Sequence, residues 1–339
     1  MYGARIFPSI EQIVNRSIVR AFRTQVTPLP KPQSDFSHKT VIVTGASSGV
    51  GKAAAQQFAR LGAAKVILAC RSTEKGEAAK RDIESAEAAA GVVEVWPLEL
   101  GSYESIKAFC SRADKLDRLD VFVANAGLMS AQCEYYEGYE RQTFVHVIAP
   151  ILMVLLLLPV MRRTSEQTQS LPHHVIVSSN GHMYTKFLPG KEKSIFAAVQ
   201  GDRDMRLRYY DTKLMEVFAV RELAARVKAS KKPLVVVNMV DPGFCQSDLM
   251  REKGWELPIR IMMGVADKIL ARSPDSGART YTMAAEAGEQ SHGMYLEDCS
   301  FSTPSPMVDT EEGRELQKRV WDELMEILND TAPGAVGNL

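Results

Sequence analysis

The sequence predicts an α/β protein built on a doubly wound parallel sheet with helices on both faces, and two observations lead to this class. Its strand-like segments are continuous apolar runs, which is typical of strands buried on both faces. Helix-like segments separate these runs, so strands and helices alternate from Lys39 onward. Because no internal repeat and no second boundary is visible, we predict a single domain over residues 39–339, preceded by an extension over 1–38.

The elements follow in order from the first strand, TVIVTG, which is short and rich in β-branched residues. A helix over 50–61 begins within a glycine cluster, and an Ala/Glu/Lys-rich helix over 73–89 follows the second strand, KVILAC. The later predicted elements are VVEVWPL (strand), 102–115 (helix), LDVFVANAG (strand), 137–161 (a long helix interrupted by Pro150), HHVIVSS (strand), 206–230 (helix), PLVVVNMV (strand) and GMYLED (a late short strand).

The composition narrows the class of function. The 339 residues are 45% hydrophobic and 24% charged, as in ordinary globular proteins, and 41 basic against 41 acidic residues give a net charge of zero. Without a broad positive field, we expect a small-molecule partner and no nucleic acid. The five cysteines are odd in number, widely spaced and form no C-x-x-C pair, so we expect no metal and reduced thiols in a cytoplasmic protein.

Two segments bear on membranes and on partner subunits. The apolar run over 147–161 has 15 residues and two prolines, so it is short for a bilayer and fits a buried or subunit-interface helix. Residues 5–23 place isoleucines on one helical face with arginines elsewhere. That segment suits either the surface of an intracellular membrane or packing against the body or a partner subunit. The proline-rich stretch over 27–36 is predicted to be a linker.

A glycine-rich turn ends the first strand. In TGASSGVGK, Gly45, Gly49 and Gly51 stand where the next helix begins. Glycines there permit a tight turn and a close backbone approach, so the helix N-terminus can present free N–H groups to a pyrophosphate. The strand, turn and helix together are the context that this motif requires. We therefore predict a Rossmann fold that binds a dinucleotide.

The stretch RYYDTK, residues 208–213, puts one tyrosine and one lysine on the same helical face. Tyr209 and Lys213 are four residues apart, whereas Tyr210 points roughly 100° away. A tyrosine with a reference pKa of about 10 is mostly protonated at neutral pH, and a neighbouring ammonium lowers that pKa. The pair is a candidate for general acid–base catalysis, with a chance pairing on a polar helix as the alternative.

These motifs, together with three others, resemble those of the short-chain dehydrogenase/reductase family. The three are NAG at 125–127 after the fourth strand, VIVSS ending at Ser179, and DPGFCQS after the sixth strand. The resemblance covers residues 39 to about 300. It implies an oxidoreductase of carbonyls or alcohols with Tyr209 as acid and base. It also implies that Lys213 binds the nicotinamide ribose.

The same resemblance assigns further roles. For the serine that holds the substrate oxygen it favours Ser179 over Ser178, because the family uses the second serine of such a pair. A strand-end cap is the alternative for both. For Asn125, a structural role and a cofactor-binding role are the two alternatives. The implied cofactor contacts are Thr44, Gly45, Ser47, Ser48, Gly49, Val50, Gly51, Arg71, Ser72, Glu99, Leu100, Asn125, Ala126, Gly127, Tyr209, Lys213, Pro242, Gly243 and Ser247.

The end of the second strand, LACRS, indicates which dinucleotide binds. A site that prefers NAD has an acidic residue here for the ribose 2'-hydroxyl, and this chain has none. It has Arg71, whose guanidinium can pair with a 2'-phosphate, and Ser72 beside it. We predict NADP(H), with Arg71 as an ordinary surface residue as the alternative. By resemblance Glu99 faces the adenine, where the family more often has Asp.

His146 departs from the family pattern. The family carries an asparagine at this position, where it holds a water that links the lysine to bulk solvent. A neutral imidazole donates through one nitrogen and accepts through the other, so His146 is a candidate member of that relay. An ordinary core histidine is the other reading.

About thirty residues lie between Ser179 and Tyr209, which is long for this family. We predict an apolar substrate pocket from residues in this insert and after the Pro-Gly loop, unless they only bury the insert. They are His182, Met183, Tyr184, Phe187, Leu188, Trp255, Leu257, Ile259 and Met262. The insert and the C-terminal EEGRELQKRVWDELMEIL resemble retinol-dehydrogenase-like and fungal secondary-metabolism members. The predicted substrate is a bulky apolar ketone, aldehyde or alcohol; a dinucleotide-binding regulatory protein is the alternative.

Overall fold

The structure is a computed structural model, and it describes residues 25, 27–201, 205–249 and 255–339. These residues contain ten strands: β1 (Thr40–Thr44), β2 (Lys65–Cys70), β3 (Val93–Pro97), β4 (Val121–Ala124), β5 (Tyr135–Tyr136), β6 (Tyr139–Glu140), β7 (His173–Val177), β8 (Val236–Asp241), β9 (Tyr295–Glu297) and β10 (Ser300–Ser302). Eight of them form one sheet in the order β10-β9-β8-β7-β4-β1-β2-β3. Every pair in it is parallel except β9 with β10, so the predicted doubly wound sheet is confirmed.

Helices cover both faces of this sheet. They are α1 (Gly49–Arg60), α2 (Thr73–Glu87), α3 (Tyr103–Ala113), α4 (Arg141–Thr168), α5 (Ile195–Ala198), α6 (Met205–Ala229), α7 (Leu257–Ile269), α8 (Pro274–Ala284) and α9 (Glu311–Thr331). All five residues of β1 are buried, and alternate ones serve different cores. Ile42 packs with α3, α4, α6 and α9, whereas Val41 and Val43 pack with α1, α2 and α8.

The prediction for the long helix was wrong at its start and in its interruption. Residues 137–140 belong to a small hairpin, and the helix begins at Arg141. Pro150 does not interrupt it, because a π-helical turn over Phe144–Ile148 precedes the proline. Ala149 donates its N–H to the Phe144 carbonyl five residues back. This wider turn accommodates the proline, which has no N–H to give.

Helix α4 is the apolar core helix of the protein. Among the described residues, it alone is apolar and long enough to cross a membrane by composition, yet 89% of its apolar window is buried inside the protein. The C-terminal residues lie on it: Asn338 donates to the Leu155 carbonyl at 3.0 Å, and Arg162 donates to the Leu339 carbonyl at 3.2 Å. A subunit contact through residues 147–161 would therefore have to lie beside this tail.

The predicted linker lies against the body of the protein. Leu29 and Phe36 are buried, and the Phe36 ring meets the Phe58 ring at 4.9 Å. Arg279 donates to the Leu29 carbonyl at 2.7 Å. Residues 5–23, predicted to suit a membrane surface, lie outside the described residues.

The long insert is held by the C-terminal helix. The Glu323 carboxylate on α9 accepts hydrogen bonds from the Ser194 hydroxyl at 2.9 Å and from the Ile195 and Phe196 N–H groups at 3.0 Å. Arg319, one turn earlier, donates to the Gly190 carbonyl at 2.7 Å. The insert and α9 therefore form one unit.

Glu323→Ala is expected to lower the free energy of unfolding by about 2 kcal/mol, because three donors lose a charged acceptor. Urea unfolding of the purified variant measures this. Glu326→Ala, an exposed acid on the same helix, is the matched control and should change stability by less than about 0.5 kcal/mol. Equal losses in the two variants would contradict this role of Glu323.

A buried histidine makes stability depend on pH. His174 on β7 is fully buried against Phe122, and neither ring nitrogen has a hydrogen-bond partner among the described residues. Burial lowers its pKa to about 3. Below a pH of about 6.5 the unfolded chain binds a proton at this histidine that the folded chain does not, so stability falls as pH drops toward 3.

His174→Leu is therefore expected to retain about 2 kcal/mol more stability than the wild type on going from neutral pH to about pH 5. Urea unfolding at the two pH values measures the difference. His38→Gln, at an exposed histidine, should follow the wild type. If the pH dependence of stability in His174→Leu equals that of the wild type, burial of the His174 ring is not its cause.

Candidate active site

The carboxyl ends of the parallel strands bring the predicted motifs to one edge of the sheet. A side-chain carbon at Gly45, after β1, would lie 3.1 Å from Ala126, after β4. One at Gly49 would lie 3.8 Å from Ser247, which follows β8. After β7, the Ser179 hydroxyl hydrogen-bonds to Tyr209. The sheet edge therefore carries all five motifs of the predicted site.

The glycine turn has the form that a dinucleotide requires. Gly45 and Gly49 have φ angles of +65° and +57°, in the left-handed region that favours glycine. A side-chain carbon at Gly51 would lie 2.4 Å from the Asn125 amide nitrogen, so only glycine fits there. Ser48 begins α1 without a side-chain cap, and the first helical N–H groups are left for a ligand. The turn fits a pyrophosphate.

Asn125 joins the turn after β1 to the turn after β4 by hydrogen bonds. Its Nδ2 donates to the Thr44 carbonyl at 2.8 Å, and its Oδ1 accepts from the Tyr281 hydroxyl at 2.9 Å. The Thr44 hydroxyl accepts from the N–H groups of Asn125 and Ala126, both at 3.0 Å. These bonds favour the structural one of the two roles considered for Asn125. Gly127 lies next to His146.

Arg71 stands at the end of β2 with its side chain 64% exposed. Its Nε lies 3.8 Å from a carboxylate oxygen of Glu99, the residue after β3 that was expected to face the adenine. Ser72 caps α2 by accepting from the Lys75 N–H at 3.3 Å. Leu100, next to Glu99, packs partly buried on the core. The end of β2 therefore carries a guanidinium, and β2 itself carries no acid.

The two serines at the end of β7 face different partners. Ser179 is half-buried, accepts from the Gly181 N–H at 3.1 Å and hydrogen-bonds to the Tyr209 hydroxyl. Ser178 is buried. Burial raises the pKa of the Glu216 carboxyl, and the Lys213 ammonium and the Ser178 hydroxyl oppose that rise. Since only Ser179 contacts the tyrosine, the geometry agrees with the choice of Ser179 for the substrate oxygen.

Tyr209 is buried next to acidic groups. Burial raises the pKa of its phenol well above the usual range. The bond from Ser179 opposes this rise, whereas the carboxylates of Asp241 and Glu216 add to it. The Tyr210 ring lies 5.9 Å from the ring of the exposed Tyr184 and 5.9 Å from the Tyr209 ring, measured between centroids. The tyrosine is thus held as the protonated acid.

Lys213 is fully engaged within the chain. Its Nζ donates to the Val177 carbonyl at 2.9 Å and to the two Glu216 carboxylate oxygens at 3.1 and 3.2 Å. The side chains of Lys213 and Glu216 are 6% and 3% exposed. The ammonium therefore has a counter-ion beside it, and the lowering of the Tyr209 pKa that we expected from Lys213 stays a prediction for the loaded site.

His146 uses both ring nitrogens inside the protein. The Leu128 N–H donates to Nε2 at 3.3 Å, so Nδ1 carries the proton and donates to the Thr212 hydroxyl at 2.9 Å. Thr212 in turn donates to the Tyr209 carbonyl at 3.0 Å. Burial lowers the pKa of His146 well below its usual value, and the Lys213 ammonium adds to this. These contacts favour the core histidine over the relay.

The Pro-Gly loop after β8 is held by a hydrogen bond to a buried acid, Asp241. Asp241 accepts from the N–H groups of Asn180 and Gly243, each at 2.8 Å. Burial and the Glu297 carboxylate raise its pKa to about 6. Pro242 follows, and Gly243 has a φ of +75°. Asp241 thereby links the loop after β7 to the loop after β8, which reaches back over the glycine turn.

Sequence reasoning missed three residues of this site. Glu216 could have been found from the sequence, because an acid interrupts an apolar run three residues after Lys213. Asp241 could also have been found, because it is an acid at the end of an apolar strand. Gly181 had none: a side-chain carbon there would lie 3.2 Å from the Tyr209 ring and 3.1 Å from the Tyr210 ring.

The predicted pocket wall divides into buried and exposed side chains. His182 is buried with Nδ1 at 2.5 Å from the Ser179 carbonyl, and Phe187 packs on Phe218 in the core. These two bury the insert, which was the alternative interpretation. The exposed apolar members are Tyr184, Leu188 and Leu257, with Met183 half-buried and Trp255 buried. The side chains of Ile259 and Met262 lie outside the described part of the chain.

Comparisons with known proteins agree with this arrangement. The family model for short chain dehydrogenase matches residues 39–184. A short chain dehydrogenase/reductase of Cryptosporiopsis sp. (strain 8999) is 39% identical over an alignment of 320 residues that covers 91% of this chain and 96% of the relative. A short chain dehydrogenase of Emericella nidulans is 40% identical over 284 residues, covering 82% of this chain and 90% of the relative.

Solved structures share the fold. A short chain dehydrogenase from Shigella flexneri has a TM-score of 0.58 at 21% identity and covers 82% of this chain and 97% of its own. The NADPH bound carbonyl reductase from chicken fatty liver has a TM-score of 0.59 at 17% identity, covering 79% and 99%.

The parallel sheet and the glycine turn define a dinucleotide-binding oxidoreductase. The chain belongs to the short-chain dehydrogenase/reductase family, as the sequence predicted.

Proposed function

We propose that the protein is an NADPH-dependent oxidoreductase that interconverts a ketone or aldehyde and an alcohol on a bulky, mostly apolar small molecule. The observation that carries the proposal is the buried Tyr209 in contact with Ser179, beside the glycine turn and with Lys213 one helical turn onward. Such a tyrosine is a proton donor placed where a carbonyl oxygen can be held.

The residues divide the work as follows. The bound nicotinamide cofactor supplies or accepts the hydride. Tyr209 gives its proton to the carbonyl oxygen, and Ser179 donates a hydrogen bond to the same oxygen. Because the Ser179 oxygen already accepts from the Gly181 N–H, its own proton is directed toward the tyrosine or substrate. Lys213, whose Nζ bonds to the Val177 carbonyl and to Glu216 in this structure, would give up one of these bonds to bind the nicotinamide ribose.

The preference for NADPH is supported by Arg71 and by the lack of an acid on β2. The guanidinium and Ser72 would hold the 2'-phosphate, and a Glu99 carboxylate oxygen lies 3.8 Å from the Arg71 Nε. A carbonyl reductase with the same fold carries NADPH. The glycine turn over 45–51, the NAG segment and the loop over 242–247 would hold the rest of the cofactor.

The apolar character of the substrate is inferred from Tyr184, Leu188 and Leu257, whose exposed side chains suit an apolar molecule. We further infer a cytoplasmic enzyme that forms a homodimer or homotetramer, with a membrane-surface contact through residues 5–23 as the second localisation. Size-exclusion chromatography with light scattering, and flotation with vesicles, would test these two inferences.

A panel of hydrophobic ketones and aldehydes tests the function directly. The purified protein is expected to oxidise NADPH faster than NADH with at least one member of the panel. A broad panel without turnover, together with tight NADPH binding, would favour the dinucleotide-binding regulatory protein instead.

A further inference from the structure

We propose that the N-terminal extension takes part in cofactor binding through Gln25, a positioning residue that holds the Pro-Gly loop (residues 242–247) in place for the nicotinamide half of the dinucleotide. The proposal rests on the proposed function, since it concerns the cofactor of that reaction. The contact that carries it lies within the chain, between the Gln25 side chain and the main chain of Phe244.

The Gln25 amide pairs with the main chain of Phe244 on both sides of that residue. Its Nε2 donates to the Phe244 carbonyl at 2.7 Å, and its Oε1 accepts from the Phe244 N–H at 2.8 Å. Nε2 also donates to the carbonyl of Leu270, just after α7, at 2.7 Å. Both amide hydrogens and the amide oxygen are therefore bonded within the chain, which fixes the orientation of the side chain.

The segment that follows Gln25 is bound to the body of the protein. Leu29 lies four residues after Gln25 and is buried, and its carbonyl accepts from Arg279 on α8 at 2.7 Å. Further along, the Phe36 ring packs on the Phe58 ring. The Gln25 amide is thus brought to the Pro-Gly loop by a stretch of chain that has its own contacts with the core.

The Pro-Gly loop lies between the two parts of the site that a dinucleotide has to join. At one end, Gly243 shares the Asp241 carboxylate with Asn180, the residue after the serine chosen for the substrate oxygen. At the other end, Ser247 would lie 3.8 Å from a side-chain carbon at Gly49 of the glycine turn. A nicotinamide that exchanges a hydride with the substrate lies at the first end, and the pyrophosphate lies at the second. The loop therefore borders the nicotinamide half.

Gln25 and Arg272 hold this loop together. A side-chain carbon at Gly243 would lie 2.7 Å from the Gln25 Oε1 and 2.9 Å from an Arg272 guanidinium nitrogen, so the loop main chain passes close to both side chains. Arg272 donates to the Pro242 carbonyl at 3.3 Å, and its N–H donates to the Phe244 carbonyl at 2.8 Å. A loop that is ordered in advance costs less entropy when a ligand binds, so loss of Gln25 weakens the part of the cofactor that the loop borders.

Two variants remove the contact in different ways. Gln25→Ala removes all three hydrogen bonds without changing the charge. Gln25→Glu keeps an acceptor for the Phe244 N–H, but it has no hydrogens for the Phe244 and Leu270 carbonyls and places a negative charge beside them. Gln33→Ala, at an exposed glutamine of the same extension, is the matched control.

Hydrogen exchange in the protein without cofactor tests the contact itself. A peptide that covers residues 242–249 is expected to exchange at least about threefold faster in Gln25→Ala than in the wild type, because the Phe244 N–H loses its acceptor. A peptide from β8 should exchange at the wild-type rate, as should all peptides of Gln33→Ala. Equal exchange of the loop peptide in Gln25→Ala and in the wild type would overturn the proposal.

Calorimetric titration with NADPH and with 2'-phospho-ADP-ribose, the same molecule without its nicotinamide, tests the role of the loop. Both Gln25 variants are expected to weaken NADPH binding by at least about fivefold and to leave binding of the fragment within about twofold of the wild type. Gln33→Ala should change neither affinity. If the wild type prefers NADH, NADH and ADP-ribose take the place of the two ligands, with the same expected difference.

Unchanged dinucleotide affinity in the Gln25 variants would overturn the proposal, because the loop would then not depend on this side chain. Equal weakening of the dinucleotide and the fragment would also overturn it, because a general loss of structure affects both ligands. Neither measurement contains a substrate. Absence of turnover on the ketone panel therefore contradicts the proposed function without deciding the role of Gln25.

Discussion

Tyr209→Phe is expected to lower kcat by at least about 10³-fold while leaving NADPH binding within about twofold of the wild type. The substitution removes the phenol oxygen and nothing else, so the carbonyl oxygen loses its proton donor. The contacts of the glycine turn and of Arg71 with NADPH are not changed by the substitution. Steady-state rates with an active member of the ketone panel, and NADPH fluorescence titration, measure the two quantities.

Tyr210→Phe is the matched control for this prediction. Tyr210 is the next residue on α6, and its ring meets the exposed Tyr184 at 5.9 Å. It should retain the rate and the cofactor affinity of the wild type. Equal loss of rate in the two variants, or an unaffected rate in Tyr209→Phe, would remove Tyr209 from the role of acid.

Arg71→Ala is expected to weaken NADPH binding by about 10- to 100-fold, because charge-assisted hydrogen bonds to the 2'-phosphate are lost. Binding of NADH, which has no 2'-phosphate, should change by less than about twofold. Titration calorimetry with both dinucleotides measures the ratio. Arg81→Ala, at an exposed arginine on α2, is the control and should leave both affinities unchanged. Equal weakening of both dinucleotides in Arg71→Ala would contradict a phosphate contact.

Much of the fold was predictable because its signals are local and repeated. The strands of the parallel sheet are buried on both faces, so their apolar runs stand out in the sequence, as in TVIVTG and KVILAC. The start of α4 was not predictable in the same way. A π-helical turn before Pro150 depends on the packing of Phe144–Ile148, and no residue type marks such a turn.

The site was predictable where a motif carries its own geometry. Gly45 and Gly49 were chosen from the sequence, and both adopt the left-handed backbone that glycine favours. Contacts between distant segments were not predictable. Nothing in the sequence says that Asp241 bonds to Asn180, or that Thr212 stands between His146 and the Tyr209 carbonyl. The roles of these side chains depend on tertiary packing.

Deuterium transfer from NADPH labelled at the nicotinamide hydride position tests the central claim most directly. With a ketone from the panel that turns over, mass spectrometry of the product alcohol is expected to find one deuterium on the carbon that bears the hydroxyl group. Tyr209→Phe should yield almost none in the same time. An alcohol formed without deuterium at that carbon, or labelled equally fast by Tyr209→Phe, would contradict hydride transfer assisted by this tyrosine.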